Sequence, residues 1–379
     1  MRPIDSVDAP SGEETDTAQS ERDRREREAL AKIEKVRSMP ARFRDDRITM
    51  AHGAGGKAMS TLIEGLFVPA FGSGELEALN DAASIIVDDT ELAMTTDSFV
   101  VKPIRFPGGS IGELAVNGTV NDLAVSGARP VALTLSMILE EGLSADDLRA
   151  EVDAIAKAAA EAGVRIVAGD TKVVERGHAD SMYICTTGLG RRDPRANLAP
   201  TSLRPGDHIL VSGRVGDHGT AIMLARGEFE LGAAIESDTR SLWPAMDALL
   251  DAAGEHLRCA RDATRGGVAS VLNELATTSR VAVLIDEEAI PVHPAVAGAC
   301  EILGIDPMYV ANEGVLVAVV AEEGAAAALA ALREVPGCEG AANIGRVKTE
   351  PTGRVLVQTA FGGKRVMDLL VGDPLPRIC

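Results

Sequence analysis

The stretch Ser110-Ile-Gly-Glu-Leu-Ala-Val-Asn-Gly-Thr-Val-Asn-Asp-Leu-Ala-Val-Ser126 decides how the chain is read. Ser110 followed three residues on by Glu113 is a capping-box pattern, and the Ala, Val and Leu residues beyond it predict a helix over 111–126. On that helix Asn117, Gly118, Asn121 and Asp122 fall at i, i+1, i+4 and i+5. They share one face, with the glycine leaving room for a close approach. Polar side chains on an otherwise apolar helix are costly to bury without partners. A hard cation coordinated by several carboxylates is one physical way to satisfy them.

Working outward, strand-like runs at 84–87 and 92–96 precede this helix, and a strand at 131–135 follows it. A helix over 144–162 and strands at 165–168 and 181–186 close the first half. The Pro- and charge-rich run 191–205 reads as a boundary. Beyond it come a strand at 208–212, helices near 217–226 and 264–278, and strands at 281–285 and 315–320. An Ala-rich helix over 323–334 and a strand at 355–358 complete the alternation. A length of 379 residues suits two domains, expected at 46–193 and 194–361. Residues 1–45 carry mixed charges with a marginal helix and read as a largely disordered extension. Gly362-Gly363 opens a tail, expected to be mobile, over 362–379.

Composition narrows the partners. The chain has 57 acidic against 38 basic residues, a formal charge of −19, and 3% aromatics. That balance repels a phosphate backbone and offers few stacking platforms, so nucleic acid is not expected. No run is long enough to span a bilayer and no signal-peptide core is recognised, so a cytoplasmic location without membrane contact is expected. The five cysteines, Cys185, Cys259, Cys300, Cys338 and Cys379, form no C-x-x-C pair. Neither a disulfide framework nor a zinc site is suggested.

The chemistry-bearing signals share one format: an acid where a β-type run ends, or glycines where a helix begins. The acids are Asp81, Asp97, Asp122, Asp170 and Asp262. In Ala51-His-Gly-Ala-Gly-Gly-Lys-Ala58, Gly53, Gly55 and Gly56 would let backbone N–H groups close on an anion while Lys57 adds a charge. The same loop would also serve as a plain tight turn, and it departs from the P-loop spacing. Asp262-Ala-Thr-Arg-Gly-Gly267 offers a second phosphate site with Arg265. Together these point to metal-assisted nucleotide binding. Lys172 and Glu313, taken alone, read as ordinary surface charges. Cys379, closing Gly372-Asp-Pro-Leu-Pro-Arg-Ile-Cys379, is either accidental or a nucleophile on a restricted arm.

Several of these runs occur together in one known pattern. They are His52-Gly-Ala-Gly-Gly-Lys57, Thr95-Thr-Asp-Ser98, Val120-Asn-Asp-Leu-Ala-Val-Ser-Gly-Ala-Arg-Pro130 and Val167-Ala-Gly-Asp-Thr-Lys-Val-Val174. Gly216-Asp-His-Gly219, Arg261-Asp-Ala-Thr-Arg-Gly-Gly267, Ala311-Asn-Glu-Gly314 and Pro374-Leu-Pro-Arg-Ile-Cys379 complete the set. From about Ile48 to Cys379 the chain resembles the HypE family of hydrogenase expression/formation proteins, within the PurM-like (aminoimidazole ribonucleotide synthetase) superfamily.

The resemblance implies an α+β fold of two PurM-like domains, each a mixed sheet with helices, and a flexible C-terminal tail. It implies a homodimer through the first domain, with ATP and Mg²⁺ in the cleft. By match of motif, Asp81, Asp97, Asp122 and Asp262 would hold metal and triphosphate. Asn117, Asn121, Asp170, Arg265 and the Gly53–Lys57 loop would assist. The implied reaction is ATP-dependent dehydration of an S-carboxamide on Cys379 to an S-cyanate, with Lys172 and Glu313 handling protons. The implied partners are a carbamoyltransferase, HypF, as donor and the iron-carrying HypC–HypD complex as acceptor. Residues 1–45 have no counterpart in the pattern, and Val315 stands where the family often has a basic residue. Selenophosphate synthetase and thiamine-monophosphate kinase share the aspartate motifs but leave Pro-Arg-Ile-Cys unexplained. The alternative of another class is a non-catalytic assembly scaffold that binds partners through the N-terminal extension and the acidic surface; ATP hydrolysis dependent on a carbamoylated Cys379 separates the two.

Overall fold

A computed structural model of the protein describes residues 42–72, 74–77, 79–227 and 235–370. Its first unit runs β1 (Ala83–Val87), β2 (Thr90–Phe99), α1 (Ile111–Val125), β3 (Ala128–Glu140), α2 (Ala145–Glu161), β4 (Arg165–Val174), β5 (Met182–Arg192). The five strands lie in the order β1-β2-β5-β3-β4. All neighbours are antiparallel except β3 and β4. Strand alternation sets the two faces: β5 buries Met182, Ile184 and Thr186 while Tyr183, Cys185 and Thr187 turn the other way. Helices α1 and α2 pack together, α1 on the buried side of the sheet. The opposite face and the edge strands leave Ile86, Val87, Met94, Ile138, Val167 and Val173 exposed.

The second unit begins with β6 (His208–Val211), α3 (Asp217–Ala225), α4 (Trp243–Ala253), β7 (Leu257–Asp262) and α5 (Gly267–Thr278). It continues with β8 (Ala282–Asp286), α6 (Pro294–Leu303), β9 (Leu316–Val320), α7 (Glu322–Glu334), β10 (Ala342–Lys348), β11 (Arg354–Gln358) and β12 (Lys364–Met367). Its seven strands lie in the order β12-β11-β8-β10-β6-β9-β7. Only the β8–β11 pairing is parallel among those described. β6 and β9 are continuous apolar runs because helices cover both sheet faces. Val211, Val317 and Val319 pack with Leu272 and Leu275 of α5. Leu210, Leu316 and Ala318 pack with Met246 of α4 and Leu332 of α7. The α+β, two-sheet PurM-like architecture expected from the motifs is the one observed.

Three local expectations are corrected. Ser110 is the N-cap of α1 but its hydroxyl makes no cap bond. Instead the Gly112 N–H donates to Glu151 Oε2 at 3.1 Å, a carboxylate from α2 being a stronger acceptor at a helix N-terminus than serine. β4 continues past 168 to Val174, so Asp170 and Lys172 sit mid-strand rather than at a strand end. Residues 364–367, expected to lie in the tail, form β12 against β11. Four elements, α4, α6, β7 and β10, went unread because their patterns are short or uniformly apolar. Residues 1–41 and 371–379, and with them Cys379, lie outside the described residues. No described helix is long and apolar enough to cross a membrane.

Candidate active site

α1 is buried on nearly all sides because it lies between the two units. The polar face read from the sequence divides in two. Gly118 and Asp122, one turn apart, face the first sheet. A Cβ on Gly118 would stand 2.8 Å from the Phe99 ring and 3.8 Å from Asp97 Oδ2, so glycine is what lets β2 come this close. The Thr95 hydroxyl lies 2.7 Å from Asp122 Oδ2 and 2.9 Å from the Asp81 carbonyl. Asn117 and Asn121 instead face the second unit. Asn117 Nδ2 donates to Thr239 Oγ1 at 3.2 Å. Asn121 Nδ2 donates to the carbonyls of Arg240 and Glu313, and its Oδ1 accepts from Leu242 N at 2.7 Å. Asn121, expected to assist a nucleotide, spends these bonds joining the units.

Around this seam the acids gather. Burial, then the negative charges of Asp97, Asp262 and Asp81, hold the Asp122 carboxyl well above the usual carboxylate range. Burial, then Asp81 and Asp97, push Asp262, the last residue of β7, up to about 8. Asp97 is raised by burial, partly offset by the Arg265 guanidinium. Asp81 is raised by burial and opposed by Arg261, with which it forms an ion pair. Glu313, 3% exposed, is raised well above its usual value by burial, with Asp262, Asp238 and Asp97 adding to it. A divalent cation would relieve this mutual repulsion, and all the donors are hard oxygens. As they stand, no three His, Cys, Asp or Glu side chains among the described residues are close enough to hold an ion.

Glycines close the site on the second unit's side. Gly266, the N-cap of α5, has φ +76°, and a Cβ there would collide with Ser270 Oγ. At Gly267, φ +60°, it would meet the Met308 carbonyl at 2.5 Å. This turn presents the start of a twelve-residue helix, whose free N–H groups favour an anion. The N-terminal loop lies against it: Gly55 packs on Arg265 and Gly56 on the Leu370 carbonyl. Lys57 N donates to that carbonyl at 3.3 Å. Gly53 and Lys57 are exposed. A cavity of about 220 Å³ opens here among Gly55, Asp81, Arg261, Asp262 and Arg265.

Asp170 and Lys172 are elsewhere. In the register of β3 and β4 they pair with Ser136 and Ile138, which point away from α1. Asp97 pairs through Thr186 with Leu135 on the buried face. Lys172 is therefore behind the sheet from Asp97 and three strands across, ion-paired with Asp170 at 2.5 Å. Two residues not singled out from the sequence fasten Glu313. Asp238 Oδ1 accepts from its N–H at 2.9 Å, and Arg240 Nε donates to the Gly314 carbonyl at 2.9 Å. Both lie in an aperiodic loop that carries no motif. Arg261 was within reach of sequence reading, standing beside Asp262.

Two family models match the chain: the AIR synthase related protein N-terminal domain over 79–192 and the C-terminal domain over 204–358. The chain is 51% identical to the carbamoyl dehydratase HypE of Rhodobacter capsulatus over 340 residues, covering 89% of this chain and 99% of that protein. Among solved structures it is similar to a HypE–HypF complex, with 44% identity and TM-score 0.78 over 82% of this chain and 99% of that one. It is also similar to the hydrogenase maturation protein HypE in complex with ATP, with 46% identity and TM-score 0.74 over 88% and 100%.

Proposed function

The chain belongs to the HypE family of carbamoyl dehydratases, and we propose from that premise that it dehydrates, with ATP, a carboxamide carried on its own Cys379. One observation carries this reading. Leu370, the last described residue, is hydrogen-bonded to the glycine loop beside the buried acids. Cys379 follows nine residues later, a reach of about 30 Å when extended, which covers the site.

ATP supplies the phosphoryl group that makes the carboxamide oxygen a leaving group, so that S–C(=O)NH₂ becomes S–C≡N with ADP and phosphate as co-products. Asp97, Asp122 and Asp262 would hold Mg²⁺, with Asp81 tied to Arg261 at the edge. The α5 N-terminus, Arg265 and the Gly53–Lys57 loop would bind triphosphate. Glu313 would take the proton of the amide nitrogen; held above its usual range by burial, it is a stronger base once ionised than an ordinary carboxylate. We take the two units as 46–193 and 194–361. We assign HypF as carbamoyl donor and HypC–HypD as acceptor of the cyanide destined for the iron of a [NiFe]-hydrogenase. We further infer a homodimer through the exposed face of the first sheet. Lys172 lies on that face, with its own Glu313 behind the sheet.

The test is intact-protein mass after incubation with HypF, carbamoyl phosphate and ATP. A carboxamide gained and then losing water, with neither change in Cys379→Ala, is the expected result. Modification of the Cys379→Ala chain would end this reading.

A further inference from the structure

One end of the first sheet carries a charge pattern that the chemistry above does not use. Arg129 of β3 and Arg191 of β5 are direct cross-strand partners. Both side chains leave the same face, since Ala128, Pro130 and Gly190 beside them are buried. Like charges directly opposite one another are destabilising. Neither guanidinium makes a hydrogen bond or ion pair with a described residue, and Arg191 acts on Asp193 only through its field. The pair stands at the rim of the face inferred above to meet a second copy, where β5 ends. It lines a cavity of about 150 Å³ with Arg192, Arg195 and Trp243. The two acids of that cavity are already engaged, Arg195 pairing with Asp193 at 2.8 Å and with Asp247 at 2.6 Å. Four guanidiniums thus face two carboxylates, a positive surplus in a chain whose formal charge is −19.

The partner that this surplus calls for is an anion with several acceptors. Paired guanidiniums match the oxygens of a phosphate, each through a fork of N–H donors. The volume admits one phosphate-sized group and is well under the ~300 Å³ of pockets that enclose a whole ligand. Position gives the source. Arg192 also lines a neighbouring cavity of about 130 Å³ together with Asp81 and Arg261, and those two residues line the cavity at the buried acids. Three cavities therefore adjoin through shared walls, from the acids to Arg129. Arg192 stands at the second wall, its Nη1 donating to the Ser126 carbonyl at the C-cap of α1. ATP cleaved at the acids yields phosphate, and the succession of Arg261, Arg192 and the arginine pair favours an anion along that line.

We propose that Arg129 and Arg191 form, with Trp243 beside them, a binding site for inorganic phosphate, where the phosphate released from ATP is held as it leaves. The inference rests on ATP being cleaved at the acids, whereas phosphate binding itself is measured without turnover. Trp243 is the sole tryptophan of the chain, so its emission reports on this cavity.

The test is equilibrium dialysis of the full-length protein with radiolabelled inorganic phosphate at constant ionic strength, with and without saturating Mg²⁺-ADP. One phosphate per chain should bind in the presence of ADP, and tryptophan emission should change along the same curve. Arg129→Gln and Arg191→Gln should each weaken that binding about tenfold or more while binding ADP as the wild type does. In phosphate-free buffer neither variant should melt below the wild type, because a like-charge repulsion has gone, and phosphate should raise the melting midpoint of the wild type only. Phosphate displaced by ADP would put the anion in the nucleotide site, and a variant melting lower would show its arginine already paired within the protein; either overturns the proposal. Undiminished binding by both variants overturns it too, as does a wild-type chain that binds no phosphate, its arginine pair then being met by an acid of a second copy. A carbamoylated chain that loses no water with ATP, while phosphate binding holds, would instead overturn the ATP-dependent dehydration and leave the binding site standing.

Discussion

Glu313 combines two properties that a surface glutamate lacks. Its backbone is fastened on both sides, by Asp238 at the N–H and by Asn121 at the carbonyl, and its carboxyl is buried among acids. Glu313→Gln keeps the shape and removes the base, so dehydration should fall about 10²–10⁴-fold while carbamoyl uptake persists, as quenched reactions read by mass would register. Asp238 adds a pH dependence to stability. Its pKa rises from 3.8 to about 6 on folding, so the folded state holds the proton longer and stability is lost as pH rises through that window. The shift of about 2 units corresponds to at most about 3 kcal/mol, roughly half of it above pH 5. Urea titrations at pH 5 and 7.5 should show Asp238→Asn gaining on the wild type at the higher pH; parallel behaviour would refute the assignment. Asp97, Asp122, Asp262 and Arg265 were legible as residues because aspartate and glycine recur in fixed short patterns. Asp238 was not, since burial is a property of surroundings, not of spacing.

At the scale of elements, α1 positions the site. Its start is set by Glu151, which accepts from Gly112 N and, at 2.8 Å, from Arg105 Nε, and is fully buried. Arg105 is about half exposed and also pairs with Asp147, so it stays solvated when Glu151 is removed and the loss is that of the capping and charge-assisted bonds. Glu151→Ala should therefore cost about 1–3 kcal/mol, seen as a lower urea midpoint at unchanged slope; an unchanged midpoint would mean that Ser110 suffices as cap. The helix itself was evident from its Ala/Val/Leu run; Ser144 caps α2, its Oγ accepting from Asp146 N at 3.2 Å. The division of its polar face was hidden. Residues at i and i+4 share a face, but 117/121 and 118/122 are 100° apart, and only the second unit decides which row meets what.

For the whole molecule, the exposed apolar face of the first sheet has the composition of an interface rather than a solvated surface. Light scattering should give twice the 39.5 kDa chain mass, and Met94→Glu with Ile138→Glu should give the monomer. If Lys172 serves the second copy, mixing Lys172→Ala with Glu313→Gln chains should restore about a quarter of the sites, as one good site per mixed dimer. No recovery on mixing would return Lys172 to its own chain or to no role. By itself the sequence determined the two-unit alternation, the helix that carries Asn117–Asp122, the glycine turns and the four converging aspartates. Those follow from local periodicity and from backbone conformations that glycine alone tolerates. Tertiary structure alone decided that Asn121 joins the units, that Asp170 and Lys172 stand behind the sheet, and that β12 leads the chain end to the glycine loop. The reason is physical: strand register and packing between units turn each side chain toward a particular neighbour, and neither is written in any short run of residues.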